Sequence, residues 1–363
     1  MSEVRIKKGS IWIYRVFDIA EEINISQVEG LLRNSLGPDK FQVRKHIDRG
    51  LVLKKAPVSF GFGEVHFPLK HQGLTADAIV KVREFGVLTF TYRIPIEPGT
   101  DWKNLISLAA ELEELNEIDE IAKNHCKEVK EAIFPALKGS TDWDKFEDYT
   151  TYFFEEIDGA DTTEQLVQRA DLASLVLAED EVKIAAITRN AILENLYQYA
   201  ENDFAIIEWN AAIVWDPKGR REVLDILEYA VTHLLEMRYY DDLLDKHLDT
   251  LYDTIGLEKN KTLKGQYSQL YQETSQRYIE FTEFLERVEN SLKVVGDFYL
   301  ATVYRAATRR FRLSDWQQNI TRKMNILAQV SSLLQGELNI RRSHWLEIII
   351  ILLIAFEIVS ALL

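Results

Sequence analysis

Apolar and polar positions alternate with period two over much of the first hundred residues. Ile11-Trp-Ile-Tyr-Arg-Val-Phe17 is a β-branched and aromatic run of strand length, and segments 51–54 and 58–67 read as further strands. The clearest β signal lies at 78–96. Val80 and Val82 precede Glu84-Phe85-Gly86, after which Leu88, Phe90, Tyr92 and Ile94 alternate with more polar residues. That pattern predicts a hairpin with one buried face. Ser26 and Glu29 form a capping box ahead of an apolar stripe of Ile25, Val28, Leu31 and Leu32, which predicts a short helix. Gly61-Phe-Gly63 sits inside a strand-like run and reads as a bend or bulge.

From Asp101 the period lengthens. Leu105, Leu108, Leu112, Leu115 and Ile118 recur three or four apart with glutamates on the other faces, so one amphipathic helix is expected to run toward Phe134. Lys138-Gly-Ser-Thr-Asp142 breaks it. A strand at 149–155, helices over 161–200 and a strand or strand pair at Phe204–Trp209 and Ala212–Trp215 follow, before the turn Asp216-Pro-Lys-Gly219. From Val223 the spacing is helical almost throughout. Leu227, Ala230, Leu234, Met237, Leu244, Leu248, Leu251 and Ile255 form one stripe; Tyr278, Phe281, Leu285, Val288, Leu292, Val295 and Tyr299 form a second. Leu313, Trp316, Ile320, Leu327, Val330, Leu334 and Leu338 form a third. Such helices pack at shallow angles, within one chain as a bundle or between chains as a coiled coil.

Residues 345–363 read WLEIIIILLIAFEIVSALL. At a helical rise of about 1.5 Å per residue they cover roughly 28 Å, close to a hydrocarbon core of about 30 Å. Arg341 and Arg342 precede the run, so the positive-inside rule leaves the body on the cytoplasmic or matrix side. A span at this place in the chain reads as a tail anchor, carried by Trp345, Leu346, Glu347, Ile350, Leu353, Ile354 and Glu357. A buried core helix or an oligomer-forming helix is the soluble alternative, and Glu347 and Glu357 favour it. Glu347 lies at the near interface; Glu357 lies inside the span, at a cost of roughly 2.5–3.5 kcal/mol on insertion scales.

Charge sharpens the division. The formal net charge of -15 resolves into +4 over residues 1–100, -22 over 101–256 and +3 over 257–363. An acidic middle repels a nucleic-acid backbone, which argues against DNA as a partner. One cysteine, Cys126, excludes an internal disulfide and a four-cysteine zinc site.

The run Arg322-Lys-Met-Asn325, then Leu333-Leu334, then Arg341, Leu346-Glu347, Ile350, Leu353-Ile354 and Glu357 resembles the C-terminal signature of the "required for meiotic nuclear division" family. Val82-Arg-Glu-Phe85-Gly86-Val87-Leu-Thr-Phe90 is similar to that family's Phe-Gly-Val-Val-Val-Phe strand, and Ala186–Glu208 is placed where the family has a helix and a Glu-bearing strand. Thr91-Tyr92 departs from its usual aromatic residue. The resemblance implies an α/β domain, a helical stalk, an inner-membrane anchor and large homo-oligomers; the mitochondrial relatives support translation near the membrane. It implies no active site.

Three sets of side chains are candidates for chemistry. Asp241-Asp-Leu-Leu-Asp245 matches the DDxxD pattern that holds magnesium in prenyl-diphosphate enzymes, since carboxylates at i and i+4 share a helix face; it also reads as a solvated flank. Arg305, Arg309, Arg310 and Arg312 are the densest basic cluster and suit an acidic partner, or complement the negative end of a helix. His233 and His247 lie too far apart along one helix to share a metal, and no GxxxxGK[ST], GxSxG or HExxH motif is present.

The expectation is therefore an α+β protein in three parts. Residues 1–219 form a mixed α/β head with β-hairpins, 220–343 a long-helix bundle or coiled-coil stalk, and 344–363 a single transmembrane tail anchor. The expected function is a non-catalytic, homo-oligomeric scaffold in the cell inner membrane (the mitochondrial inner membrane in a eukaryote), single-pass, with its body cytoplasmic. The expected partners are the lipid bilayer and further copies of the chain, with no cofactor and no metal. The alternatives are a magnesium-dependent enzyme using Asp241, Asp242 and Asp245, or RNA or ribosome tethering through Arg305–Arg312.

Overall fold

A computed structural model describes residues 4–36, 42–43, 57–69, 73–256, 272–273, 275–276, 278–283, 286 and 297–362. In chain order the elements are β1 (Arg5–Asp18), β2 (Ala20–Ile23), α1 (Ile25–Leu36), β3 (Gln42–Val43), β4 (Val58–Phe67), β5 (Leu74–Val82), β6 (Val87–Pro95) and β7 (Thr100–Asp101). Then come α2 (Trp102–Glu113), α3 (Glu117–Ala132), a 3-10 turn at Phe134–Ala136, β8 (Leu137–Ser140) and β9 (Phe146–Asp158). They are followed by α4 (Thr163–Arg169), α5 (Leu172–Val176), α6 (Ala186–Leu193), β10 (Leu196–Tyr197), β11 (Phe204–Ile207), β12 (Ala211–Trp215) and α7 (Glu222–Gly256). Two further helices span Phe298–Arg310 and Leu313–Leu362. The protein is thus mixed α+β, with its sheet toward the N-terminus and helices toward the C-terminus. It divides into two compact units, one made of Met1–Tyr239 with Glu289–Ser314, the other of Tyr240–Val288 with Asp315–Leu363.

The first unit is organised by β1. Fourteen residues long, it pairs antiparallel with β6 on one side and with β9 on the other, and meets β7 at Arg5 and Ile6. The order across the sheet is β10-β11-β12-β9-β1-β6-β5-β4-β3, in which β12 runs parallel to β9 and the remaining pairs are antiparallel. One face is apolar. Ile11, Ile13, Val80, Leu88, Phe90, Tyr92 and Phe154 lie there, covered by Val28 and Leu32 of α1, Leu105 of α2 and Ile118, Ala122 and Val129 of α3. The other face carries Tyr14, Lys81, Thr89, Tyr149 and Thr151, and it is buried too. The expected hairpin is present, but both of its faces are covered: α7 lies over the second, and every residue from Val223 to Met237 is buried.

Three local expectations are corrected. The run from Trp102 to Ala132 is two helices, because the chain leaves α2 at the cap residue Glu114 and re-enters α3 after Asn116. The cap of α1 is Asn24 rather than Ser26: the helix starts at Ile25, the Gln27 amide donates to the Asn24 carbonyl at 3.0 Å, and the Ser26 hydroxyl donates to Asn24 Oδ1 at 2.7 Å. The span 161–200 holds three short helices, α4 to α6, and the edge strand β10. The strand expected at 51–54 lies outside the described residues. The bulge at Gly61-Phe-Gly63 is present as a shift of register between β4 and β5, with Gly63 at φ +94°.

In the second unit, Tyr240 packs on Phe281 with ring centroids 5.2 Å apart, and Leu244, Leu248, Ile320, Met324 and Leu327 are buried. These contacts join three helical stretches of one chain. Among the described residues, no coiled-coil stalk is seen.

The β5–β6 turn depends on Gly86. It sits at φ +91°, and a Cβ there would fall 1.5 Å from the Ala20 carbonyl oxygen. Gly86→Ala should therefore destabilise the first unit by about 3 kcal/mol or more, combining left-handed strain with a backbone clash. A fall in the midpoint of chemical unfolding checks this, and an unchanged midpoint would contradict the turn geometry.

Candidate functional site

The second face of the sheet holds charge away from water. Strand alternation puts Lys81, and Arg83 just beyond the end of β5, on the side opposite Val80 and Val82. Asp225 and Glu228, one helical turn apart on α7, meet them there. Lys81 Nζ donates to Asp225 Oδ1 at 2.9 Å and to Glu228 Oε2 at 2.7 Å, and Arg83 Nη2 donates to Glu228 Oε1 at 2.7 Å. All four side chains are at most 8% exposed. Two cations and two anions cancel, which is the condition for tolerating them in a dry interior.

Aromatic and polar groups extend this layer. The Arg83 guanidinium lies 5.6 Å from the Tyr229 ring centroid, and Tyr229 meets His233 edge to face with ring centroids 4.3 Å apart. His233 Nδ1 is hydrogen-bonded to the Tyr304 hydroxyl. Burial, with the Arg83 charge adding to it, pushes His233 down to about 3, so its imidazole is neutral at physiological pH. Burial also raises the Tyr14 phenol well above its ordinary value, reinforced by Glu228 and Asp225. Every charge in the central quartet is held by another member of the quartet. Sequence reasoning missed it, although Lys81 and Arg83 at strand spacing and Asp225 and Glu228 at helical spacing were its visible trace.

The arginine cluster is divided among several roles. Arg310 forms an ion pair with the buried carboxylate of Glu208, which also accepts from Asn195 Nδ2 at 3.1 Å. Arg309 donates to the Tyr197 hydroxyl at 2.6 Å, and Arg305 to Thr302 Oγ1 at 3.3 Å. Arg312 takes φ +55° in the turn between the last two helices, next to Phe311, whose ring packs on Tyr149. Arg309 and Arg310 thus tie their helix to the β10–β11 edge of the sheet.

The aspartate motif meets a cation of its own chain. Lys323 Nζ lies 2.7 Å from Asp241 Oδ1 and 2.6 Å from Asp245 Oδ1. The i and i+4 carboxylates do share a face, and an ammonium group bridges them. Among the described residues, no group of three or more His, Cys, Asp or Glu side chains is placed to hold a metal ion.

The C-terminal segment differs from everything before it. Residues 313–362 form one helix, and Ser343–Ser360 within it has a mean hydropathy of 1.9 with no residue buried. Trp345, Leu346, Ile350, Leu353 and Ile354 are each more than half exposed, and Glu347 is exposed. The side chains of Arg341, Arg342 and Glu357 lie outside the described ones. By length and composition this helix could cross a membrane, since eighteen residues rise about 27 Å.

The fold and these sites define a mixed α+β protein: a sheet with helices on both faces, a buried ionic layer and one long apolar helix. A family model described as "Uncharacterized protein MJ0711, N-terminal domain" matches residues 8–222, and the chain belongs to that family. It is also similar to "Uncharacterized protein MJ0711" of Methanocaldococcus jannaschii, 25% identical over 286 residues that cover 77% of this chain and 82% of that protein. No solved structure matches it. Nothing in these matches links the chain to the "required for meiotic nuclear division" family.

The ionic layer makes a direct stability prediction. Lys81→Met removes the buried ammonium from which both Asp225 and Glu228 accept, and should cost about 3–5 kcal/mol, the usual result of breaking a buried ion pair by removing one partner. Chemical unfolding of the full chain in detergent measures it. A loss below about 1 kcal/mol, the range of an exposed pair, would show that water reaches the quartet.

Proposed function

We propose that this protein is a membrane-anchored, non-catalytic scaffold whose α/β body is held at the membrane surface by the helix at 343–360. The observation that carries this reading is that helix's exposure: eighteen apolar-rich residues with none buried. An apolar face of that size in water is unfavourable by roughly 25 cal/mol per Å², and a bilayer removes the whole of it. Arg341 and Arg342 at its N-terminal end favour a body on the cytoplasmic side of an inner membrane. The scaffold part of the reading is supported by the internal use of the charged groups: the quartet pairs with itself, Lys323 takes Asp241 and Asp245, and Glu208 takes Arg310. Self-association is favoured by the contrast between the -22 middle and the positive segments that flank it.

Two lysines at the centre of the apolar helix, Ile351→Lys with Leu352→Lys, would each cost roughly 2.5–3.5 kcal/mol of insertion free energy. The full chain should sediment with membranes and resist carbonate extraction, and the double variant should lose most of that resistance. Recovery of the unaltered chain in the soluble fraction would remove the anchor. A monomeric mass by light scattering in mild detergent would remove the self-association.

A further inference from the structure

Residues Val223–Met237 of α7 are buried without interruption, and at Arg238 the helix becomes half-exposed. At that step two contacts tie it to the sheet unit. Arg238 pairs with Glu147 at the start of β9, and the Tyr239 ring packs against Trp143 with centroids 5.5 Å apart and planes at 73°. The pair is asymmetric: the Glu147 side chain is 6% exposed and that of Arg238 35%. The carboxylate is committed to the interior, while the guanidinium has a route to solvent. The partner of Glu147 across the sheet is Val16 of β1, which offers it no charge.

We propose that the Glu147–Arg238 pair is an acid-released latch that fastens the last seated turn of α7 to the start of β9. With Glu147 ionised, leaving Arg238 would strand a buried carboxylate, so the latch is closed. Protonation removes that constraint. The neutral acid needs no cation, and Arg238 can turn to water, where its charge is better solvated. Tyr239, the next residue along α7, then shifts with Arg238 against Trp143. The charged groups acting on Glu147 are Arg238 from α7, which favours its ionised form, and Asp148 beside it on β9, which opposes it. Burial outweighs both and raises Glu147 to about 7, so the change falls within the range cells experience.

The latch and the overall stability respond to pH in opposite directions. Because the folded value lies above the ordinary carboxylate value of 4.5, the folded chain holds an extra proton between there and about 7. Global stability therefore falls as pH rises through that window, while the latch closes. A local probe is needed to see it.

Fluorine NMR of the full chain in detergent micelles supplies one, with fluorotryptophan incorporated and the Trp143 signal assigned by its loss in Trp143→Phe. The Trp143 signal should titrate with a midpoint near 7. Glu147→Gln, which mimics the protonated acid, should hold it at the acid-side position across the range. Arg238→Gln should raise the midpoint by about one unit or more, since it removes the charge that favours ionised Glu147. A Trp143 signal independent of pH, a titration that persists in Glu147→Gln, or an unmoved midpoint in Arg238→Gln would each overturn the latch.

Discussion

Lys81 and Arg83 stand on a sheet face from which water is excluded, and they can do so because Asp225 and Glu228 reach them from α7. Each ion taken alone would carry a desolvation penalty of several kcal/mol. Matched two against two, they let the helix lie flat on the sheet over fifteen buried residues, Val223 to Met237. Much else follows from that seating. Tyr229 and His233 are carried against Arg83 and Tyr304, the helix at Phe298–Arg310 gains a surface to pack on, and Arg238 is brought to Glu147. The opposite face of the sheet, filled by Phe90, Tyr92 and Phe154 under α1 to α3, is an ordinary apolar core.

The same layer explains where the sequence was legible and where it was not. Period-two alternation from Val80 to Ile94 located the β5–β6 hairpin, and the apolar runs at 204–215 located β11 and β12, because strand spacing alone fixes which residues share a face. The pattern predicted a hairpin with one buried face, yet Lys81, Thr89 and Thr91 on the other face are buried too, since burial of that face is decided by Asp225 and Glu228, more than 140 residues away from Lys81 in sequence. The break between α2 and α3 was hidden because Leu112, Leu115 and Ile118 keep helical spacing across it. Of the candidate site residues, Arg309, Arg310, Asp241 and Asp245 stand out in the sequence as clustered charge. That Glu208, Tyr197 and Lys323 meet them is a property of the fold and leaves no local trace.

The family match ends at Glu222, the first residue of α7, so it spans the sheet but not the helix that covers its second face or the apolar helix at 343–360. The body and the apolar C-terminal helix are therefore separable matters. Within the body, Lys81, Arg83, Asp225 and Glu228 are turned inward and used for packing. In the C-terminal helix, apolar surface is turned outward, which is the opposite of what folding in water favours and is what a bilayer rewards. On the proposed reading, Trp345 and the arginines before it in sequence are the residue types that meet headgroups at the end of a span.

The claim that this helix lies in hydrocarbon is tested most directly by a nitroxide at its centre. In a chain carrying Cys126→Ala and Leu352→Cys, reconstituted into phosphatidylcholine vesicles, spin-label relaxation reports access to oxygen and to a water-soluble nickel complex. The account predicts high oxygen access and low nickel access at position 352, the signature of the bilayer interior. Nickel access equal to that of a label on an exposed helix of the body would place residue 352 in water and contradict it.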